Sequence, residues 1–231
     1  MISKLAIFIS RQLWEVVGTR GKVLIPKFAP YVKYLKYIGK GIPFKQITAL
    51  DNLLLFTRFL NENELSYFLS GGSLLGAVRQ NSFAGRPGDI DLGILEDDEI
   101  KLLKLLPLLE KLNFVRDPMY AHFEDKIVFT KWRTPHVDVM VYRPLNDESE
   151  VSSMSYCHVN ASAKKFICSI DLTELRTACI FDYKFPVPKN AEEFIANQYG
   201  ESWRLPDAQQ FVRRKRRFFN LQNRPWFWFR R

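Results

Sequence analysis

The sequence predicts an α/β (α+β) domain carrying a basic extension at each end, and three observations lead there. In the run 89–94, Ile90, Leu92 and Ile94 alternate with Asp89, Asp91 and Gly93, the period of two that marks a strand. Gln46–Glu64 sets Ile47, Leu50, Leu53, Leu54, Phe56 and Leu60 at helical spacing. Between such segments the chain breaks at Gly and Pro, with neither repeats nor low-complexity linkers, so helices and strands interleave in one body. With 231 residues, 47% hydrophobic and 26% charged, the chain is neither a disordered tail, nor a collagen-like fibre, nor a disulfide-stapled mini-protein. Three cysteines, Cys157, Cys168 and Cys179, are too few for a secreted framework and point to a reducing compartment.

Along the chain, Leu65–Leu69 reads as a short buried strand stopping at Gly71-Gly72-Ser73, after which Leu74–Arg79 is helical. Asn81–Gly88 is a loop, because Gly85, Pro87 and Gly88 break any regular element. The Asp89 strand follows, then a helix over Asp97–Lys111 whose first-turn acids suit the helix dipole. Lys126–Trp132 and Val137–Tyr142 are two further strands turning at Arg133–Pro135. The pattern is ambiguous after Asp147 until Asn190–Tyr199, a helix ended by Gly200.

The net charge of +9 is unevenly placed. Residues 1–45 hold nine Lys or Arg and one acid, and residues 211–231 hold eight and none, so an acidic body carries two cationic ends. Acidic bodies often hold metal sites, and cationic ends seek polyanions. Both ends are also apolar. In Met1–Val17 the polar Lys4, Arg11 and Glu15 recur at helical spacing. No apolar run there reaches the ~20 residues of a spanning helix, and no small-residue cleavage site follows, so neither an anchor nor a signal peptide is expected. The tail RRKRRFFNLQNRPWFWFRR mixes Arg with Trp and Phe, which suits a bilayer's headgroup level, single-stranded nucleic acid or the protein's own body. An anionic membrane surface is the favoured partner and nucleic acid the weakest. The expected division is therefore an N-terminal extension over 1–45, a catalytic domain over 46–206 and a tail over 207–231.

The acids carry the chemistry. Side chains alternate along a strand, so Asp89 and Asp91 share a face while their apolar neighbours enter the core. Two such carboxylates repel unless a cation lies between them. Val137-Asp138-Val139-Met140-Val141 repeats the design with a single acid. On adjacent strands, Asp89, Asp91 and Asp138 would form an oxygen cluster for one or two Mg²⁺ or Mn²⁺ ions, which serve in-line displacement at phosphorus. At the strand-to-helix junction, Gly71, Gly72 and Ser73 could let backbone amides and a small hydroxyl approach a phosphate. Arg79 and Arg86 flank the same loop and could clamp diphosphate oxygens.

A strand ending in Gly-Gly-Ser, a helix, a strand with Asp-x-Asp and a later strand with a single Asp together resemble the nucleotidyltransferase fold of the DNA polymerase beta type, a mixed sheet flanked by helices. More narrowly, GGSLLGAVRQNSFAGRPGDIDLGI resembles the signature of the LicD/fukutin-related phosphotransferase family, and the later VDVMVY its third-acid strand. FPVPKNAEEFIANQYGESWRLP is similar to that family's closing segment. The resemblance covers about Leu65 to Pro206. Two departures stand out. Ala84-Gly85-Arg86-Pro87-Gly88 replaces the usual Ile-Pro-Trp-Asp, and Gln80 replaces a frequent His.

The resemblance implies transfer of a phospho-alcohol, such as phosphocholine, ribitol phosphate or glycerol phosphate. The donor would be a CDP-alcohol and the acceptor a hydroxyl on a cell-surface glycan or lipid-linked glycan, such as lipopolysaccharide, teichoic acid or capsule. Asp89, Asp91 and Asp138 would be the metal ligands, and Asp138 also the acceptor of the hydroxyl proton. The expected location is cytoplasmic, held peripherally at the membrane through both ends. Two rivals share these residues: a nucleotidyltransferase acting on a small molecule, protein or RNA, and a non-catalytic membrane or RNA adaptor. Cys157, His158, Cys168 and Cys179 form no Cys-x-x-Cys pair, so free thiols are expected there, not zinc. His136 alternates with Asp138 onto one face, and His122 lies near a strand.

Overall fold

Alternating apolar residues on two strands dictate a sheet with one dry face, and that sheet is the centre of the molecule. A computed structural model describes residues 34–85, 87–121, 125–132, 134–144, 154–159 and 165–206. Helix α1 (Leu35–Gly39) and α2 (Phe44–Glu62) precede β1 (Phe68–Leu69) and α3 (Gly71–Gln80). Strand β2 (Asp89–Leu95) leads through α4 (Glu96–Lys104), α5 (Leu106–Lys111) and β3 (Val115–Arg116) to β4 (Lys126–Thr130) and β5 (His136–Pro144). Next come β6 (Met154–Val159), β7 (Lys165–Ile170), β8 (Arg176–Ile180), β9 (Tyr183–Val187), α6 (Ala191–Tyr199) and a 3₁₀ turn, Glu201–Arg204.

The sheet runs in the order β1-β2-β5-β4-β3, with β6 pairing the far end of β5 and β7 pairing β6; β8 and β9 form a separate hairpin. The β2–β5 pair is parallel and its flanking pairs antiparallel, so the sheet is mixed. A parallel pair needs a crossover, which α4, α5, β3 and β4 supply. Ile90, Leu92, Ile94, Val137, Val139 and Val141 are all fully buried on the dry face. Helix α2 packs with that core, Phe56 meeting Phe129 at 5.1 Å and Phe114 edge-on at 5.2 Å. The buried Asn52 amide of α2 donates to Thr134 Oγ1 and the Pro135 carbonyl, tying the helix to the β4–β5 turn.

Three expectations change. The helix over Asp97–Lys111 is two helices meeting at Leu105, where Pro107 in the first turn of α5 lacks the N–H a continuous helix needs. Strand Leu65–Leu69 shortens to two residues, because the Ser66 N–H turns to Asp98 Oδ2 instead of a ladder partner. Within the segment 1–45, residues 34–45 are described, and Tyr34 and Tyr37 there are core residues at 0% and 1% exposure. Residues 1–33 and the tail over 207–231 lie outside the described residues.

Candidate metal centre

The parallel register of β2 and β5 builds the site. Asp91 lies opposite Asp138, and Asp89 opposite His136. Their apolar neighbours are committed to the dry face, so the three carboxylates emerge together on the other. One carboxylate oxygen from each of Asp89, Asp91 and Asp138 lies within 4.8 Å of the others. Exposure grades across the cluster, from exposed Asp89 through half-buried Asp91 to buried Asp138.

The Gly-Gly-Ser junction seats Asp91. The Gly72 N–H donates to Asp91 Oδ2 at 2.6 Å, and the Asp91 N–H donates to Ser73 Oγ at 2.9 Å. Gly71 has φ +47°, and a Cβ there would lie 2.7 Å from Asp91 Cγ and Oδ2. Only glycine lets the start of α3 come this close. The free amides at that helix start also favour an anionic carboxylate beside them.

Lys126 completes the cluster. It leaves β4 on the same face, diagonal to Asp138 because Val128 pairs with Asp138 and Lys126 with Met140. Its Nζ is 2.5 Å from Asp138 Oδ2 and 5.7 Å from the Tyr120 ring centroid. Burial pushes the Asp138 carboxyl above the usual carboxylate range, Lys126 offsets part of that, and Asp89 adds to it. The sequence does not single out Lys126: counting outward from the Arg133–Pro135 turn sets Thr130 opposite Asp138, whereas the register sets Val128 there and so brings Lys126 within reach. Farther along β5, Arg143 donates to Asp125 Oδ1 at 2.8 Å, Glu96 Oε2 at 3.2 Å and Glu99 Oε2 at 2.5 Å, fastening α4 to the sheet. Those three carboxylates raise the Arg143 pKa despite its partial burial.

The other expected residues separate. Arg79 lies in the last turn of α3, roughly 12 Å along the axis from Gly71. Its guanidinium donates to the Trp203 carbonyl at 3.3 Å, and burial lowers its pKa. Arg86 and His122 lie outside the described residues. His136 begins β5 opposite Asp89. Cys179 is a free, half-buried thiol. A cleft of about 800 Å³ between α2 and β9, lined in part by Asp51, Arg58 and Lys184, contains none of the triad. The chemistry identifies the triad as the candidate site, since three carboxylates share one face and Lys126 balances the charge of only one of them.

The donor set tests which cation. Three carboxylates without a cysteine sulfur or a ligating histidine in the group form a hard, oxygen-only site, which suits Mg²⁺ or Mn²⁺ better than a thiophilic ion. The triad can therefore hold a metal ion. Among the described residues no helix is long and apolar enough to cross a membrane.

The chain is similar to several known proteins. An uncharacterized protein of Rickettsia prowazekii, RP689, is 40% identical over 55 residues, 24% of this chain and 21% of that protein. Human ribitol-5-phosphate transferase FKTN is 26% identical over 173 residues, 72% of this chain and 35% of FKTN. The chain thus spans about a fifth of the rickettsial protein and about a third of FKTN. Among solved structures, the lincosamide antibiotic adenylyltransferase LnuA bound to lincomycin aligns with TM-score 0.43 at 14% identity, over 62% of this chain and 82% of that one. Residues 64–190, more than half of the chain, match the family described as LicD/FKTN/FKRP, nucleotidyltransferase domain, and they include all three acids and the Gly-Gly-Ser junction. With its mixed sheet and acid triad inside that match, the chain belongs to the LicD/FKTN/FKRP family.

Proposed function

We propose that this protein is a Mg²⁺- or Mn²⁺-dependent transferase moving a phospho-alcohol from a CDP-activated donor to a glycan hydroxyl. The observation that carries this reading is the convergence of Asp89, Asp91 and Asp138 beside Gly71-Gly72-Ser73 within the family match. The catalytic unit in this reading is 46–206 with the core segment from Tyr34 packed on it, and basic extensions precede and follow that body.

Asp89, Asp91 and Asp138 would hold the metal, which when bound neutralises charge on the phosphate oxygens. The protein's own residues position and accept a proton, with no covalent intermediate. The acceptor hydroxyl oxygen forms the new bond to phosphorus, the bond to CMP breaks, and the hydroxyl proton passes to the Asp138 carboxylate. Gly71, Gly72 and Ser73 set the position of Asp91 and present the start of α3 to the donor phosphate. Arg79 and Arg86 remain candidates for the diphosphate, Arg79 only by leaving the Trp203 carbonyl. The acceptor would be a cell-surface or lipid-linked glycan, met at the cytoplasmic face of an anionic membrane by the two basic ends. Each Lys or Arg near such a surface is worth about 1 kcal/mol.

The test is a donor screen of the full chain with Mg²⁺ or Mn²⁺ against CDP-choline, CDP-ribitol, CDP-glycerol and nucleoside triphosphates. Thermal shift and labelled-product analysis are read together. A CDP-alcohol should raise the melting temperature more than ATP or GTP, and its phospho-alcohol should appear on the acceptor. Equal shifts, or transfer of a nucleotidyl group instead, would overturn the proposal.

A further inference from the structure

We propose that the centre takes a single divalent cation, because the Lys126 ammonium is built in as the second positive charge on the acid cluster. The inference rests on reading the triad as a metal centre and goes beyond it by fixing how many ions it holds and which residue fixes that number.

Lys126 Nζ stands 2.5 Å from Asp138 Oδ2, with 24% of the lysine side chain and 5% of the aspartate side chain exposed. A contact so withdrawn from water is screened far less than a surface pair. Its geometry is fixed by the β4–β5 register, and the Tyr120 ring flanks the ammonium. Two-ion centres set their metals about 3.5–4 Å apart and share carboxylates between them. Here Asp138 Oδ2 is committed to Lys126 and Asp91 Oδ2 to the Gly72 N–H, so at least two of the six carboxylate oxygens already carry protein contacts. The charges agree with the geometry. Three carboxylates against one ammonium leave two negative charges, which one divalent ion balances. A second ion on Asp138 would have to displace the ammonium or sit beside it, against like-charge repulsion in a half-buried site.

The experiment is Mn²⁺ titration of the full chain by calorimetry, with electron paramagnetic resonance on the loaded protein. The parent protein should bind roughly one ion per chain and give a mononuclear signal, whereas ions 3.5–4 Å apart give an exchange-coupled one. Lys126→Met should raise the stoichiometry from about one to about two with a coupled signal, and Lys126→Arg, which keeps the charge, should stay at about one. A parent stoichiometry near two, or a Lys126→Met protein still at one, overturns the inference while leaving the metal centre in place. Should the Met variant fail to fold, the parent stoichiometry and signal decide alone. A parent protein that binds no Mn²⁺ overturns the metal-centre reading itself, and this inference with it.

Discussion

Burial raises the Asp138 carboxyl, the Lys126 ammonium offsets part of that rise, and the neighbouring Asp89 adds to it. Asp138 therefore holds its proton more tightly folded than unfolded. Below the ordinary carboxylate range both states are protonated and the burial costs nothing. As pH climbs through that range the unfolded chain ionises first, so the metal-free fold loses stability until Asp138 ionises there too, and the loss persists above. Asp138→Asn removes the burdened charge. In EDTA at neutral pH it should melt no lower than the parent, and higher by about 2–4 °C for each kcal/mol relieved in a domain of this size, while losing the stabilisation that Mn²⁺ gives the parent. A variant melting several degrees lower in EDTA would show that the Lys126 pair outweighs the burial. The acids themselves were legible in the sequence, because a carboxylate inside an alternating apolar strand has no structural reason to be there. Lys126 was not, since its role depends on which residue of β4 faces Asp138, a matter of register. Arg79 misled for a similar reason: close to the loop in sequence, it is carried by a regular helix to the end away from Gly71 and onto the Trp203 carbonyl.

Helix α3 is positioned at its start and at its middle by glycines with different tasks. At its start, Gly71 and Gly72 admit Asp91; at its middle, Gly76 admits the chain's own return. The helix ends at Asn81 in the left-handed region, and the following residues fold back against its flank, the Ser82 N–H donating to the Gly76 carbonyl. A Cβ on residue 76 would lie 2.3 Å from the Ser82 carbonyl oxygen, 2.5 Å from the Ala84 nitrogen and 2.8 Å from the Phe83 carbonyl carbon. Those are backbone atoms, which cannot rotate aside as a side chain can. Gly76→Ala should cost about 1–3 kcal/mol or more by denaturant unfolding, despite alanine's better helix propensity. A change within about 0.5 kcal/mol, the range of an ordinary surface substitution, would refute that packing. Element legibility followed length and periodicity. Helix α2 and strands β2, β4 and β5 were readable because many residues repeat one spacing. Periodicity alone did not reveal hairpin β8–β9, because RTACI and YKFPV lack clean alternation and Pro186 argues against a strand. Proline is tolerated there because, among the described residues, the hairpin has two strands, leaving each with an outer edge that needs no ladder bond.

At the scale of the whole molecule, the segment Tyr34–Phe44 links the body to whatever the basic N-terminal sequence binds, and it belongs to the body energetically. The Tyr34 hydroxyl donates to Asp51 Oδ1 at 2.9 Å, and the Tyr37 hydroxyl to Asp182 Oδ2 at 3.0 Å. The Tyr37 ring lies 5.1 Å from Phe181 in the β8–β9 turn, so one short helix bridges α2 and the hairpin. Removing two fully buried rings costs more than removing surface chain, since truncation of a single large aromatic in a core costs about 3–5 kcal/mol. Charge and fold should therefore separate at about residue 34, not at residue 45. A chain of 34–206 should keep the parent's cooperative melt and lose salt-sensitive binding to anionic vesicles, which the full chain should show and neutral vesicles should not. A chain of 46–206 should melt at a markedly lower denaturant concentration, by at least about 3 kcal/mol in unfolding free energy. Equal stability of the two truncations would mean that the tyrosines add nothing to the core. Vesicle binding retained by 34–206 would move the membrane contact from the ends to the body.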